Sequence, residues 1–305
     1  MSYDLAKEDP NTIWFSTSKT IQSRLWFVAN PELDERVRAY LAKNQENFQA
    51  TLYSFIIMGN HYHLQASFPL SNRSAFLKSL NSVFAKLVAK HVPSFKGGKL
   101  WSKRPKVQAA LGAEEVFFYS ALNPVSSGLV THPNLYPSYN SFEDAVSGKE
   151  STFEVVNWRD FNDRKRFNSK IKVEDFTKTY TLKFSRLPGY EHMSQREYEN
   201  ILRQKFEEKR ISLVEKRKAE GKGFSTPQII QKTKPGTKPR NPKQSSRHTK
   251  RPLVLTSCKI EKEKYLERYF ADLYAYKKAS LLYRSGKLDT AFPPWTYKPT
   301  LLTVP

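Results

Sequence analysis

The chain has 305 residues, 39% hydrophobic and 13% aromatic, enough for a packed core and too much for a wholly disordered chain. No apolar run reaches the ~18 residues of a membrane span, and Met1–Pro10 is too polar for a secretory signal. The single cysteine, Cys258, excludes an internal disulfide and a Cys-based zinc site and fits a reducing cytoplasm. Lys and Arg number 51 against 29 Asp and Glu, a net charge of +22. Residues 1–150 carry only +4 of it and residues 151–305 carry +18. Such an excess makes a polyanion the default partner, with nucleic acid ahead of a membrane surface.

The first half reads as alternating strands and helices. Ile13–Thr17 predicts a strand and Leu25–Val28 a second, short one. Asn30 then caps a helix with Pro31 at its first position, Glu32, Asp34 and Glu35 at its positive end, and Val37, Tyr40, Leu41 and Phe48 as its apolar stripe. Thr51–Ile57 and His61–Phe68 form a hairpin about the turn Met58-Gly59-Asn60. A second helix begins near Ser71 or Asn72, with Phe76, Leu80, Val83, Phe84, Leu87 and Val88 on one side. Lys96-Gly97-Gly98-Lys99 is a loop, Leu100–Ala110 is extended, and a third helix opens near Glu114 and Glu115. The order β-α-β-β-α-β followed by a helix predicts an α+β fold: a ferredoxin-like antiparallel sheet with helices on one face, leaving the other face for a site.

The second half predicts a basic, partly helical extension. Lys178–Ser185 reads as one strand, and Ser194 with Glu197 as a capping box opening a long charged helix to about Gly221. Residues 225–252 mix five prolines with Lys, Arg, Ser and Thr and read as a basic linker unable to pack a core. Tyr265, Tyr269, Leu273, Tyr276 and Leu281 mark a last helix over about 261–283. The expected units are a catalytic domain at 1–150, a basic accessory region at 151–224, a Pro/Lys-rich linker at 225–256 and a helical tail at 257–305.

Two segments carry chemistry. On a strand, His61, His63 and Gln65 share one face, opposite Tyr62, Leu64, Ala66 and Phe68. Two imidazoles so spaced can share a divalent cation, although most His-x-His pairs are plain surface or core histidines. On the third helix, Tyr119 and Asn123 are one turn apart on one face. Tyr119 offers an oxygen nucleophile and Asn123 an amide oxygen, while Pro124 predicts a kink or restart just after Asn123. The commoner role of such a tyrosine is an aromatic on an amphipathic helix. Trp101 with Lys103, Arg104 and Lys106 sets an aromatic among cations, the combination that stacks bases and tracks phosphates; core packing is an equal alternative for Trp101.

Together these segments resemble the HUH single-strand nucleases, in the form of single-tyrosine, IS200-like and REP-associated transposases. Met58-Gly59-Asn60-His61-Tyr62-His63-Leu64 is similar to their His-hydrophobic-His signature. Tyr119-Ser120-Ala121-Leu122-Asn123-Pro124 and the residues through Val130 resemble their tyrosine helix. Leu100–Arg104 resembles the segment before that helix, and Tyr136-Pro137-Ser138-Tyr139 the one after it. The likeness spans about residues 12–145. Gly59 stands where proline is more usual, and Ser126-Ser127 where Arg-Ala is common.

The resemblance implies an enzyme, a metal-dependent transposase that cleaves and rejoins single-stranded DNA through a 5′-phosphotyrosine, at sites flanked by hairpins. It implies Tyr119 as nucleophile and His61, His63 and Asn123 as ligands of Mg²⁺ or Mn²⁺, with the imidazoles tilting preference toward Mn²⁺. The base that takes the tyrosine proton is not evident; Glu114 and Glu115 are the acids about one turn away. Trp101, Lys103, Arg104 and Lys106 are the expected DNA contacts. Single-stranded or hairpin DNA is the expected partner, a homodimer is left open, and the location is cytoplasmic, at the nucleoid. The alternative is a domesticated regulator that binds structured DNA without turnover, against which the intact His61, His63, Tyr119 and Asn123 set argues.

Overall fold

A computed structural model describes residues 5–28, 30–239 and 253–301. The first strand, β1 (Trp14–Lys19), leads through a loop to α1 (Pro31–Phe48). Asn30 caps α1 by accepting a hydrogen bond from the Leu33 amide, with Pro31 at the first turn and Glu32 and Asp34 at the positive end of the dipole. The helix stops at Gln49, which takes a left-handed conformation. A hairpin follows, β2 (Thr51–Met58) and β3 (His61–Ser67), then α2 (Arg73–His91) and β4 (Lys106–Ala110). These strands lie in the order β2-β3-β1-β4, all antiparallel, as a ferredoxin-like fold requires.

Alternation along the strands sorts their side chains onto two faces. Tyr62, Leu64 and Ala66 of β3 lie level with Ser18, Ser16 and Trp14 of β1 and face α1 and α2, where Tyr62 donates to Asn81 and packs edge-on against Phe84. The second face carries three cross-strand rows: Ile56–His63–Thr17–Lys106, Met58–His61–Lys19, and Ser54–Gln65–Phe15–Gln108. Across it lies α3 (Ala113–Ala121), followed by α4 (Asn123–Ser126) and, after a loop, α5 (Phe142–Ser147).

Both sheet edges are covered, which removes the hazard of unpaired strand edges. Tyr139 and Ser141 bond the outer side of β2. At the other edge a two-residue strand from the C-terminal region, β7 (Val254–Leu255), pairs parallel to β4.

Beyond residue 150, β5 (Ser151–Val156) pairs antiparallel with β6 (Thr177–Leu182) around α6 (Trp158–Lys165), and this small sheet packs on α1. The capping box forms as expected: Ser194 accepts from the Glu197 amide and Glu197 accepts from the Ser194 amide, opening α7 (Gln195–Ala219). Its buried residues Tyr198, Leu202 and Phe206 recur every four positions, and Phe206 stacks on Phe142 at 3.9 Å. Two shorter segments separate it from the last helix: α8 (Pro227–Lys232) and β7 precede α9 (Lys259–Arg284). Among the described residues no helix is long and apolar enough to cross a membrane.

Two expectations need correction. Leu25–Val28 is apolar because it is a buried loop, not a strand. Its backbone bonds run to Gly236 and Thr237, and it abuts Gly59, where a Cβ would meet the Val28 and Leu25 methyls at 2.9 and 3.0 Å. Residues 225–239 also do pack: Ile230 of α8 is buried with Ile56, Met58, Val130 and Tyr136. One isoleucine and a close-packed glycine suffice to dock a segment that composition reads as linker. The remaining basic run, Arg240–Pro252, lies outside the described residues.

Candidate active site

The central strand of the second face holds the histidines. His61 Nδ1 lies 2.6 Å from Asn60 Oδ1, an oxygen that only accepts, so this nitrogen carries the proton and Nε2 keeps its lone pair. His63 Nδ1 lies 2.9 Å from Thr17 Oγ1, and Phe15 stacks on the His63 ring at 5.0 Å. The two Nε2 atoms face each other at 3.1 Å.

Burial, with the charge of Lys19 added, pushes His61 down to about 4. Burial and the neighbouring His61 push His63 well below its ordinary value. Both rings are therefore neutral near pH 7, and in the tautomer in which His63 Nδ1 donates to Thr17 each Nε2 presents a lone pair. Neutral imidazoles held by partners on their far nitrogens are what a cation needs.

The tyrosine helix brings the rest. α3 ends at Ala121, so the break falls at Leu122, one residue earlier than Pro124 suggests, and Asn123 opens α4. The two residues still converge on His63. Asn123 Nδ2 is 3.2 Å from His63 Nε2, and its Oδ1 accepts from Ser127 at 3.3 Å. Turning this amide over presents its oxygen to the imidazoles and its NH₂ to Ser127, whose hydroxyl can accept as well as donate. The Tyr119 ring sits edge-on at 5.7 Å from His63 and 5.9 Å from Phe15, and remains 53% exposed.

Two imidazole nitrogens and an amide oxygen, open toward Tyr119, fit a divalent cation that keeps free positions. Among the described residues no three His, Cys, Asp or Glu side chains gather to offer a different metal site.

The expected DNA contacts separate. Trp101 packs inward, stacked on Phe27 at 5.8 Å with its Nε1 donating to Asn81, so it serves the core instead of offering a stacking platform. Lys103 and Arg104 are exposed nearby. Lys106 is level with Thr17, and thus on the histidine face.

Glu114 and Glu115 are both engaged away from Tyr119. Burial pushes Glu114 up, but hydrogen bonds from Tyr190 and Lys205 hold it below the ordinary carboxylate value. Glu115 accepts from Ser257.

Thr17, Lys19, Asn60 and Ser127 escaped the sequence reading. Thr17 and Lys19 had a signal: they share the strand period of Phe15, and only the register of β1 against β3 shows that this period faces the histidines.

With this geometry in view, comparison with known proteins is informative. Residues 21–115 match the family described as "Transposase IS200 like". The match includes His61 and His63 and stops short of Tyr119 and Asn123. A solved structure of a REP-associated tyrosine transposase bound to a REP hairpin is 14% identical, with the similarity covering 47% of this chain and 82% of that one at a TM-score of 0.37. No curated protein matches the chain.

Proposed function

We propose that this protein is a transposase, a metal-dependent endonuclease and strand transferase for single-stranded DNA, with Tyr119 as its nucleophile. The observation that carries the reading is the convergence on one point of His61 Nε2, His63 Nε2, the Asn123 amide and the Tyr119 ring. His61, His63 and Asn123 would hold a divalent cation, which would supply Lewis-acid polarisation of the scissile phosphate.

The chain's own groups account for the rest. Tyr119 Oη attacks phosphorus in line, the bond to the 3′ oxygen breaks, and that oxygen leaves as a 3′-OH after taking a proton. The 5′ phosphate stays on the tyrosine. This ester keeps enough bond energy for a 3′-OH to reverse the step, so strands are rejoined without ATP.

An unperturbed tyrosine ionises near pH 10, so forming the phenolate at pH 7 costs about 4 kcal/mol. Lys19 and Lys106 share the histidine face, where their charges suit a phosphate. The exposure of Tyr119 gives its proton a route to solvent.

Single-stranded DNA suits the site because its flexible, splayed backbone can be drawn down to a tyrosine on a sheet face more easily than a stiff duplex can. A hairpin beside the cleavage point is what the family resemblance adds. The test is incubation of the full chain with labelled hairpin-bearing single strands and Mn²⁺. A covalent protein–DNA adduct, absent in Tyr119→Phe and in excess chelator, supports the reading. An adduct that persists in Tyr119→Phe rejects it.

A further inference from the structure

Val116, Phe117, Phe118 and Ala121 seat the nucleophile helix on the sheet by apolar packing, which is non-directional and leaves its rotation and height to polar contacts. α3 is nine residues long, below the length at which a helix is stable alone, and Tyr119 sits near its end. Inside the catalytic half, Gln65 donates to the Ala113 carbonyl and pins the first turn. The remaining polar fastenings of that turn come from three separate segments beyond residue 188.

Lys205 of α7 donates to Glu114 Oε2 at 2.9 Å and to Tyr190 Oη at 2.8 Å, and Tyr190 Oη donates to the same carboxylate oxygen, closing a triangle. On the other side, Ser257 donates to Glu115 through both its amide, at 3.0 Å, and its hydroxyl. The Gly112 amide, at the cap of α3, donates to the Leu255 carbonyl at 3.0 Å, continuing the pairing of β7 on β4.

Acidic residues in a first turn are common for the dipole alone, as solvated side chains. These two carboxylates are instead each met by side chains 76 to 142 positions away in sequence. Glu115 is also one turn before Tyr119 on the same helix face.

We propose that Tyr190, Lys205 and Ser257 are positioning residues: through Glu114 and Glu115 they fix the rotation and height of α3 and so hold Tyr119 over the histidine pair of its own chain. The inference rests on the reading of Tyr119 as nucleophile. It gives part of the C-terminal half a role in the chemical step, in addition to any role in binding DNA.

A nucleophile misplaced by about 1 Å loses about 10²-fold in rate, whereas phosphate contacts elsewhere are untouched. The test uses the full chain with Glu114→Lys, Lys205→Glu and the charge-swapped double variant, whose net charge equals that of the wild type. Each single reversal should slow single-turnover adduct formation by about 10- to 100-fold while the double variant recovers to within about fivefold. DNA affinity of the double variant should match the wild type.

Single reversals at the wild-type rate, or a double variant no faster than the slower single one, overturn the proposal. If a reversal prevents folding, Ser257→Ala and Glu114→Gln replace it, each expected to slow the chemical step about three- to tenfold at unchanged affinity, with Lys205→Arg retaining the wild-type rate. Unchanged rates in these variants overturn the proposal too. Tyr119→Phe is the control that separates the two claims. An adduct surviving there removes the nucleophile reading and this proposal with it. An adduct mapped to Tyr119, with reversals at full rate, removes the positioning role alone.

Discussion

The histidine strand and the tyrosine helix arrive at the same point from different foundations. His61 and His63 lie on β3, which is bonded along its whole length to β2 and β1. Their outer nitrogens are met by Asn60 and Thr17, both within a few residues of the sheet's own strands. Tyr119 lies on a short helix laid across that sheet, tied down by carboxylates that reach α7 and the segment after β7. The histidine side of the site is thus built into the sheet. The tyrosine side, Asn123 included, sits on α3 and α4 laid across it. On the proposed reading, histidines fixed in the sheet beside a separately held tyrosine suit a reaction that must run in both directions.

That contrast can be broken at several points. The largest effect should follow loss of a histidine. His61→Ala or His63→Ala removes a ligand from a set of three and should lower adduct formation by orders of magnitude, with chelation mimicking either variant. Full cleavage in excess chelator would remove the cation from the account. Asn123→Ala should cost less, since water can replace an amide oxygen.

Asp34 tests the wall behind the site. It is 8% exposed, accepts a hydrogen bond from the Tyr139 amide, and burial pushes its carboxyl up to about 7 against the lowering charge of Arg38. A raised carboxyl means that the folded state holds the proton more tightly. Its contribution to stability is complete below the unfolded value near pH 4 and is lost as pH rises toward 7, a fall of up to about 4 kcal/mol. Asp34→Asn should flatten this fall between pH 4.5 and 7.5 in denaturant titrations (~0.5-unit steps suffice). Parallel curves for variant and wild type would show that the carboxylate is ionised in place.

The basic run concerns binding and should leave the chemistry alone. Arg240, Lys243, Arg247, Lys250 and Arg251 are expected to meet DNA backbone. Replacing all five with glutamine should flatten the log–log salt dependence of binding by up to about 3.5 on single strands, with cleavage-site choice preserved. Identical slopes would leave the run a spacer. The smallest effect should come from Thr17→Val, which leaves His63 Nδ1 without its hydroxyl partner. A loss of about 10- to 100-fold in metal affinity or cleavage is expected, and no change in either would show that Phe15 stacking alone orients the ring.

Legibility in the sequence followed locality. The succession of strands and helices in the first half, the helix caps and the pairing of His61 with His63 depend on period-two and period-3.6 patterns within a few residues, and these were readable. Trp101 was ambiguous because an aromatic among cations looks the same whether its ring points outward or, as here, onto Phe27. Leu25–Val28 has strand composition, yet its bonds go to Gly59 and to residues 236 and 237, pairings no local pattern encodes. The same holds for β5, which was not expected because its partner β6 lies beyond an intervening helix. The links from Glu114 and Glu115 are the extreme case: two acids in a first turn carry no mark of which distant lysine or serine will meet them.

On the proposed reading, Tyr119 takes the 5′ phosphate of the downstream (3′) fragment while His61 and His63 hold the cation. The most direct measurement uses one hairpin-bearing single strand labelled at either its 5′ or its 3′ end, Mn²⁺ and the full chain, with the adduct digested and located by mass spectrometry. The account predicts that the 3′-labelled fragment stays on the protein, attached at Tyr119, and that the 5′-labelled fragment is released with a free 3′-OH. Attachment of the 5′-labelled fragment, attachment at another residue, or cleavage without any covalent product would contradict it.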